Sequence, residues 1–196
     1  MKILFWNIRG LGGVGRRRQL VELCQQQNPQ FICLQETIKD FFRPRELDSL
    51  ARGFSFFWSW IPSNGHPGGL LIGASKECVE VEGEEQGTFY QSLQLRNSED
   101  GEVWTLINVY GPVQDERKIP FLQEVLDKIK RTQLPLLIGG DFNLIRRTED
   151  KSSGNVNHWF MDAFNDMIDE AELRELNRGV ADIPGQTNNC TPFRVC

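Results

Sequence analysis

A carboxylate and an amide, Asp141 and Asn143, stand one residue apart after the run Leu-Pro-Leu-Leu-Ile-Gly-Gly at 134–140. An apolar run of this length between turn signals predicts a buried strand. If the chain stays extended beyond the run, side chains at i and i+2 point the same way. Both groups would then face one point at the mouth of a sheet, where α/β proteins place their chemistry. A carboxylate can bind a hard cation or orient a water, and an amide can donate to a phosphate oxygen.

Polar residues also end three other predicted strands, and these are Asn7, Glu36 and Tyr110. Because parallel strands of one sheet share an end, we expect them to converge with Asp141 and Asn143 on one crevice. Two carboxylates, amides and water suit Mg²⁺, with Mn²⁺ as the alternative ion. Such an ion would polarise a phosphoryl oxygen and stabilise a leaving alkoxide. Taken singly, each residue also fits a structural role as a turn cap, a solvated acid or a core tyrosine.

The hydrophobic pattern predicts an α/β chain that opens β-α-β, with a parallel strand pair and a right-handed crossover. The predicted strands are 2–8, 31–34, 54–60, 69–73, 78–83, 88–96, 103–110 and 134–139. The predicted helices are 16–28, 45–50, 116–131 and 157–172.

Composition limits the function class. The 196 residues are 39% hydrophobic and 25% charged, which is typical of one large globular domain. The net charge of −5 does not indicate a general nucleic-acid binder, so such binding would need a local basic patch or a bound metal. Five cysteines without CxxC spacing or a secretory signal favour a reducing, intracellular location, nuclear or cytoplasmic. No apolar run approaches 18 residues, so we expect no membrane span and no membrane partner. The sequence does not fix the oligomeric state, and we expect a monomer.

An alternative function rests on Gly10-x-Gly12-x-x-Gly15, which matches a dinucleotide-binding fingerprint between a strand and a helix. Glu36 lies about 20 residues further on, where a ribose-binding acid would be. Two observations argue against dinucleotide binding. The arginines at 16–18 crowd the start of the helix, and this function assigns no role to Asp141 and Asn143. The other interpretation of these glycines is a mobile turn.

Four short motifs follow one another along the chain. They are Trp6-Asn7-Ile8-Arg9-Gly10, Leu34-Gln35-Glu36, Asn108-Val109-Tyr110-Gly111-Pro112 and Gly139-Gly140-Asp141-Phe142-Asn143. In this order they resemble the endonuclease/exonuclease/phosphatase (DNase I-like) superfamily, and above all the apurinic-type endonuclease domain of LINE-type, non-LTR retrotransposons. The Arg-containing run 144–153 and the helix after it are also similar to such elements, and the resemblance covers about residues 1–180.

The resemblance implies a four-layer α/β sandwich, with two packed mixed β-sheets flanked by helices. It implies a Mg²⁺-dependent endonuclease that cleaves a DNA phosphodiester. By this likeness Glu36 would ligate the ion with Asn7 nearby, and Tyr110 would touch the scissile phosphate. Asp141 would orient or deprotonate the attacking water, and Asn143 would stabilise the phosphorane-like oxygens.

The end of the sequence departs from this pattern, because family members finish with further strands and a Ser-Asp-His motif. The two histidines, His66 and His158, fit plain surface positions. We therefore expect an incomplete domain over 1–180 that lacks its last strands, unpaired sheet edges, and an irregular, non-native tail over 181–196. Loss of a positioned acid/base typically costs about 10²–10⁴-fold in rate, so we expect weak or no activity. A non-catalytic nucleic-acid-binding or interaction remnant is the alternative.

Two smaller departures concern the phosphate side. Val113 stands where many relatives have an asparagine, and Arg9 stands where base-excision members carry an acid. Several basic residues near strand ends could contact DNA phosphates with little dependence on base sequence, or could be solvated loop charges. They are Arg16, Arg17, Arg146, Arg147 and Lys151.

Overall fold

Two β-sheets pack face to face, and helices cover the outer face of each sheet. The structure is a computed structural model that describes residues 1–63, 68–150, 156–176 and 193–195. The strands are β1 (Ile3–Asn7), β2 (Phe31–Gln35), β3 (Phe56–Ile61), β4 (Leu70–Ser75), β5 (Val79–Gln86), β6 (Tyr90–Asn97), β7 (Val103–Tyr110), β8 (Leu136–Asp141), β9 (Arg174–Glu175) and β10 (Phe193–Val195). The helices are α1 (Val14–Gln27), α2 (Pro44–Leu50), α3 (Asp115–Arg131) and α4 (His158–Glu170), with a short 3₁₀ helix at Thr148–Asp150.

The first sheet has the strand order β1-β2-β4-β3, and the second has β5-β6-β7-β8-β10-β9. Strands β1 and β2 pair in parallel with α1 between them, so the predicted β-α-β opening is confirmed. Strands β7 and β8 form a second parallel pair in the other sheet. The carboxyl ends of both parallel pairs meet at one end of the sandwich, as the hydrogen bonds described below show.

Strand β1 shows how sequence alternation builds the layers, because successive side chains of a strand point to opposite faces. Leu4 and Trp6 pack with the cluster under α1 and α2, whereas Ile3 and Phe5 pack between the sheets. The core between the sheets has the buried members Phe31, Cys33, Ile72, Ala74, Val79, Leu93, Leu95, Leu106 and Leu137. A third cluster joins α3 and α4 to the outer face of the second sheet. The predicted four-layer α/β sandwich is therefore confirmed.

The end of the chain differs from the expected irregular tail. Residues 193–195 form β10, which pairs antiparallel with β8 and, on its other side, with β9. An exposed strand edge presents unpaired backbone groups, and this pairing covers the edge of β8 from Leu136 to Ile138, where loss of the last strands would leave it open. The rest of the predicted tail lies outside the described residues.

Among the helices that the structure describes, none has both the length and the apolar character needed to cross a bilayer.

Candidate functional site

Four of the predicted site residues meet around a single amide. Nδ2 of Asn7 donates to Oε1 of Glu36 at 3.0 Å and to Oδ2 of Asp141 at 2.8 Å. The hydroxyl of Tyr110 donates to the same Oε1 of Glu36 at 2.5 Å. The expectation that one sheet supplies these groups is wrong. Asn7 ends a strand of the first sheet and Glu36 follows another, whereas Tyr110 and Asp141 end strands of the second. The cluster therefore closes the end of the space between the sheets.

Strand periodicity explains why three of these side chains point inward. Asn7 follows Ile3 and Phe5 on the inner face of β1, and Tyr110 follows Leu106 on that of β7. Asp141 lies two residues after Gly139, whose Cα approaches the Phe5 ring, and shares that inner face of β8. Each of the three is the last residue of its strand, so the apolar core changes to polar groups at the rim.

Glu36 reaches the site by a different route. Even-numbered residues of β2, such as Leu34, pack toward the helices, so continued extension would direct Glu36 away from the other sheet. Instead Glu36 has φ +52°, a left-handed conformation that a non-glycine residue rarely adopts. Its carbonyl accepts from Gly10 N at 2.7 Å, and Arg9 in the facing segment is also left-handed, with φ +51°. Strained backbone of this kind is concentrated at functional sites.

Asn143 does not lie as predicted. The assumption of an extended chain beyond Asp141 is wrong, because β8 ends there and Asn143 has φ +50°. Its backbone N–H donates to Oδ1 of Asp141 at 3.0 Å, and its Nδ2 donates to the carbonyl of Gly111 at 2.7 Å. Asn143 thus joins the site through the backbone and orients the carboxylate of Asp141.

The two glycines before Asp141 are required by close approaches. A Cβ on Gly139 would lie 2.6 Å from the Phe5 ring of the facing sheet. A Cβ on Gly140 would lie 2.1 Å from the carbonyl oxygen of Val109, and φ at Gly140 is +138°, a region that only glycine adopts readily. These glycines allow the end of β8 to approach β1 and β7 closely enough for Asp141 to reach Asn7.

The site favours the neutral forms of two of its groups. Asp141 is 5% exposed, and burial is the main cause that raises its pKa, with the charge of Glu36 acting in the same direction. The hydrogen bonds from Asn7 and the Asn143 backbone oppose this shift. Burial also raises the pKa of Tyr110, as does its hydrogen bond to Glu36. A buried acid with a raised pKa is a stronger proton acceptor than an exposed one.

Sequence reasoning assigned no role to two buried amides just below the site. Gln35 Nε2 donates to Oδ1 of Asn108 at 2.6 Å, across the two sheets, and neither residue is exposed. Gln35 and Asn108 lie within the motifs, but each belongs to a strand whose other residues are mainly apolar. A buried polar group needs a hydrogen-bond partner, so an amide within a buried strand could have indicated a bond to the facing sheet.

The predicted DNA-contacting residues are engaged within the protein. Arg16 and Arg17 lie in the first turn of α1, not in a turn at a strand end, and Arg146 and Arg147 lie after β8. Arg17 lies 3.7 Å from a carboxylate oxygen of Glu46, and Arg16 donates to Gln19. Arg146 and Arg147 lie 3.0 Å and 3.8 Å from Oε2 of Glu175. A DNA phosphate would compete with these acids, so their role in DNA binding stays a prediction. Lys151 lies outside the described residues.

No histidine joins the cluster among the residues that the structure describes. His158 is the exposed first residue of α4, and His66 lies outside the described residues. Val113 is 60% exposed. Arg9 is also exposed, and its positive charge acts to lower the pKa of Asp141 and Tyr110, although burial dominates both shifts.

The glycines of the possible dinucleotide motif lack the packing which that motif requires. In the fingerprint, the third glycine allows the helix to pack closely on the strand. A Cβ added at Gly12 or at Gly15 would meet open space. The structure therefore fits the turn interpretation, in which Gly10 alone of the three has a positive φ.

The donor set of the cluster fits a hard divalent cation. Glu36 and Asp141 supply carboxylate oxygens, and a cation beside Glu36 would offset the charge that raises the pKa of Asp141. Within the described ranges, no group of three or more His, Cys, Asp or Glu side chains is arranged to bind an ion. One or two carboxylates with several waters is the coordination that Mg²⁺ prefers.

The chain belongs to the Endonuclease/Exonuclease/phosphatase family, which matches residues 4–193. Members of this family are generally dependent on divalent metal ions.

Individual relatives agree with this family. An exodeoxyribonuclease of Bacillus subtilis (strain 168) is 23% identical over 190 residues, which are 93% of this chain and 73% of that protein. The catalytic domain of human Nocturnin, solved with a bound sulfate anion, is 14% identical with a TM-score of 0.67, over 99% of this chain and 82% of that chain. The AP endonuclease LMAP from Leishmania major is 16% identical with a TM-score of 0.66, over 88% and 67% respectively. At these identities the two solved structures show the fold alone.

Proposed function

We propose that the chain is a Mg²⁺-dependent phosphodiesterase that cleaves DNA, an endonuclease domain of the retrotransposon type. The observation that carries this proposal is the single amide of Asn7, which holds the carboxylates of Glu36 and Asp141 together at the end of the sandwich. The similarity to an exodeoxyribonuclease and to the fold of an AP endonuclease supports DNA as the substrate. The order of the four motifs and the run after Asn143 support the retrotransposon type.

The residues divide the chemistry between binding and proton transfer. Glu36 would hold the cation with Asn7 beside it, and the cation would supply positive charge to the phosphoryl and leaving oxygens. Asp141 would accept a proton from water as the water oxygen bonds to phosphorus and the bond to the leaving oxygen breaks. The buried position and raised pKa of Asp141 suit it to this role.

Two further residues would contact the phosphate. Tyr110 donates its single O–H to Glu36, so its hydroxyl would touch a phosphate bound beside that carboxylate. The amide of Asn143 has two N–H groups, of which one donates to Gly111, and the other would donate to a phosphoryl oxygen. This role keeps the amide function expected for Asn143, but from a left-handed residue.

We further propose that the 196-residue chain cleaves DNA slowly. The described site has no histidine that could protonate the leaving oxygen or stabilise charge on the phosphate. Loss of one positioned acid/base lowers rates by about 10²–10⁴-fold. The same feature favours the second candidate function, a non-catalytic protein of this fold that binds nucleic acid.

Nicking of supercoiled plasmid separates the two candidates. The assay titrates Mg²⁺ or Mn²⁺ into four proteins, which are the wild-type chain, Glu36→Gln, Asp141→Asn and the control Glu77→Gln. Glu77 is exposed after β4, at the opposite end of the first sheet from the cluster. Metal-dependent nicking that falls at least about 100-fold in the two site variants, but not in Glu77→Gln, supports the nuclease. DNA binding without nicking at any metal concentration contradicts the nuclease and supports the binding protein.

A model substrate tests the phosphodiester preference separately. Bis(p-nitrophenyl) phosphate is a diester, and p-nitrophenyl phosphate is the matching monoester. The proposal expects hydrolysis of the diester to exceed that of the monoester, with loss of both in Asp141→Asn. Preference for the monoester would place the chain with phosphatases and contradict the proposed substrate class.

A further inference from the structure

Two amides, those of Gln35 and Asn108, form a hydrogen-bonded bridge between the sheets, in a space lined mainly by apolar side chains. Gln35 Nε2 donates to Oδ1 of Asn108 at 2.6 Å, and Asn108 Nδ2 donates to the carbonyl of Leu34 at 3.1 Å. Gln35 also donates to the carbonyl of Cys33 at 3.1 Å. Both side chains are completely buried. A buried polar pair needs every partner in place, so these bonds fix the separation of β2 and β7 at this level.

The bridge lies directly beneath the acid cluster. Gln35 is the last residue of β2 and immediately precedes Glu36. Asn108 lies two residues before Tyr110 on the same face of β7, about 7 Å below it along the strand. Thus Gln35 is the chain neighbour of Glu36, and Asn108 is two residues from Tyr110, so the two hydrogen bonds join the same pair of strands.

Packing alone does not account for the two amides. Apolar residues of similar shape could fill the space between the sheets without needing partners, and exchange of both members of a buried pair for such residues is often nearly neutral for stability. Apolar contacts are not directional, however, so they define the relative position of the two sheets less sharply than a hydrogen bond does. A directional bond is useful where the position of the next residue matters.

We propose that Gln35 and Asn108 are positioning residues for the cation site at Glu36. Their hydrogen bond sets the distance between the end of β2 and the end of β7, and so holds the Glu36 carboxylate against Tyr110 and Asn7. Neither amide touches the substrate or the ion. This inference rests on the proposed function because it concerns the same site.

A matched control is present one strand away. Gln91 on β6 is directly opposite Asn108 in the β6–β7 register and is also completely buried. Its Nε2 donates to Oγ of Ser59 on β3 at 2.7 Å, which is a second amide-mediated bond between the sheets. Gln91 is not adjacent in sequence to a residue of the acid cluster, so we expect its replacement to perturb the core without moving Glu36.

The test compares the affinity of the full chain for Mn²⁺ alone, measured by isothermal titration calorimetry. The double variant Gln35→Met/Asn108→Leu replaces both members of the amide pair with apolar side chains of similar size. It is expected to fold, because such an exchange of both partners is often nearly neutral for stability. Its Kd for Mn²⁺ is expected to rise about 10–100-fold, the usual effect of losing a residue that orients a metal ligand. Gln91→Met is expected to keep the wild-type Kd. If the double variant does not fold, Asn108→Ser, which shortens the side chain and stays polar, is expected to give the same rise.

The outcomes separate this inference from the proposed function. A folded double variant with the wild-type Kd would overturn the positioning role and leave the cation site standing. An equal rise in Kd for Gln91→Met would also overturn it, because any core change would then have the same effect. A wild-type chain that does not bind Mn²⁺ would overturn the proposed function, and this inference with it.

Discussion

The hydroxyl of Tyr110 donates to Oε1 of Glu36 at 2.5 Å and joins the last residue of β7 to the residue after β2. The bond crosses from one sheet to the other at the point where the apolar core ends. It gives Glu36 a fixed orientation, although Glu36 lies beyond its strand and has a left-handed backbone. The cation site that we propose depends on this orientation.

Tyr110→Phe removes the hydroxyl and leaves the ring. We expect the affinity for Mn²⁺ to fall about 10-fold, because Glu36 loses one of its two orienting donors. Calorimetric titration measures this change. Tyr90→Phe is the matched control, since Tyr90 also donates to a glutamate, Glu85, at 2.5 Å but outside the site. Equal losses of affinity in the two variants would show that the hydroxyl of Tyr110 has no special role.

Glu36→Gln tests charge separately from geometry. Asn7 and Tyr110 both donate to Oε1 of Glu36, and a glutamine oxygen can accept both bonds. We expect the metal-free variant to be at least as stable as the wild type, because the charge that helps to raise the pKa of Asp141 is gone. We also expect it to lose the stabilisation by Mn²⁺, which is about 2.7 kcal/mol when the ion is at 100 times its Kd.

Thermal unfolding with and without Mn²⁺ measures both effects of Glu36→Gln. The exposed Asp166→Asn on α4 is the control and should keep the metal-dependent rise in melting temperature. A Glu36→Gln variant that Mn²⁺ stabilises as strongly as the wild type would remove Glu36 from the site.

Replacement of glycine by alanine is expected to have opposite effects on stability at Gly140 and at Gly15. Gly140→Ala is expected to destabilise the fold by about 3 kcal/mol, because the methyl group would collide with the Val109 carbonyl and φ is +138°. Gly15→Ala is expected to stabilise it by about 0.5 kcal/mol, since a helical glycine gains from a methyl group that meets open space. Urea unfolding measures both. A stabilised Gly140→Ala would contradict the close approach of β8 to β7.

Much of this fold could be predicted from the sequence. Apolar alternation and turn residues placed the strands and helices within a few residues of their observed bounds, and Asn7, Glu36, Tyr110 and Asp141 do come together. Alternation does not show which strands share a sheet, so the supply of the site by two sheets could not be predicted. The pattern shows only that each strand buries one face or both.

The local errors have similar physical causes. The side-chain direction of Asn143 was derived from an extended backbone, and a single left-handed residue invalidates that derivation. Arg146 pairs with Glu175, 29 residues away, and a pair at that separation leaves no periodic signal. The role of Gln35 depends on Asn108 of the other sheet, 73 residues further along the chain.

A pH-dependent contribution to stability is expected outside the site, at Glu85. The hydrogen bond from Lys128 is the largest cause that holds the pKa of Glu85 below its ordinary value of 4.5, and the bond from Tyr90 adds to it. A lowered pKa means that the folded state favours the charged form. The contribution is therefore complete above pH 4.5 and is lost as the pH falls through the lowered pKa of the folded state.

Glu85→Gln should accordingly lower stability more at pH 7 than near pH 3. The change is expected to be small, about 0.5 kcal/mol, because the side chain is 44% exposed and solvent screens it. Melting temperatures across this range measure it, with the exposed Glu80→Gln on the same strand as the control. A loss that is larger at pH 3 than at pH 7 would have the wrong sign for this account.

The most direct test of the central claim is the anomalous diffraction of Mn²⁺ in crystals of the wild-type chain soaked at millimolar concentration. The account predicts a peak about 2.1 Å from a carboxylate oxygen of Glu36, with Asn7 and Asp141 beside it. Crystals that show Mn²⁺ only elsewhere, with Glu36 still bound to Asn7 and Tyr110 alone, would contradict it.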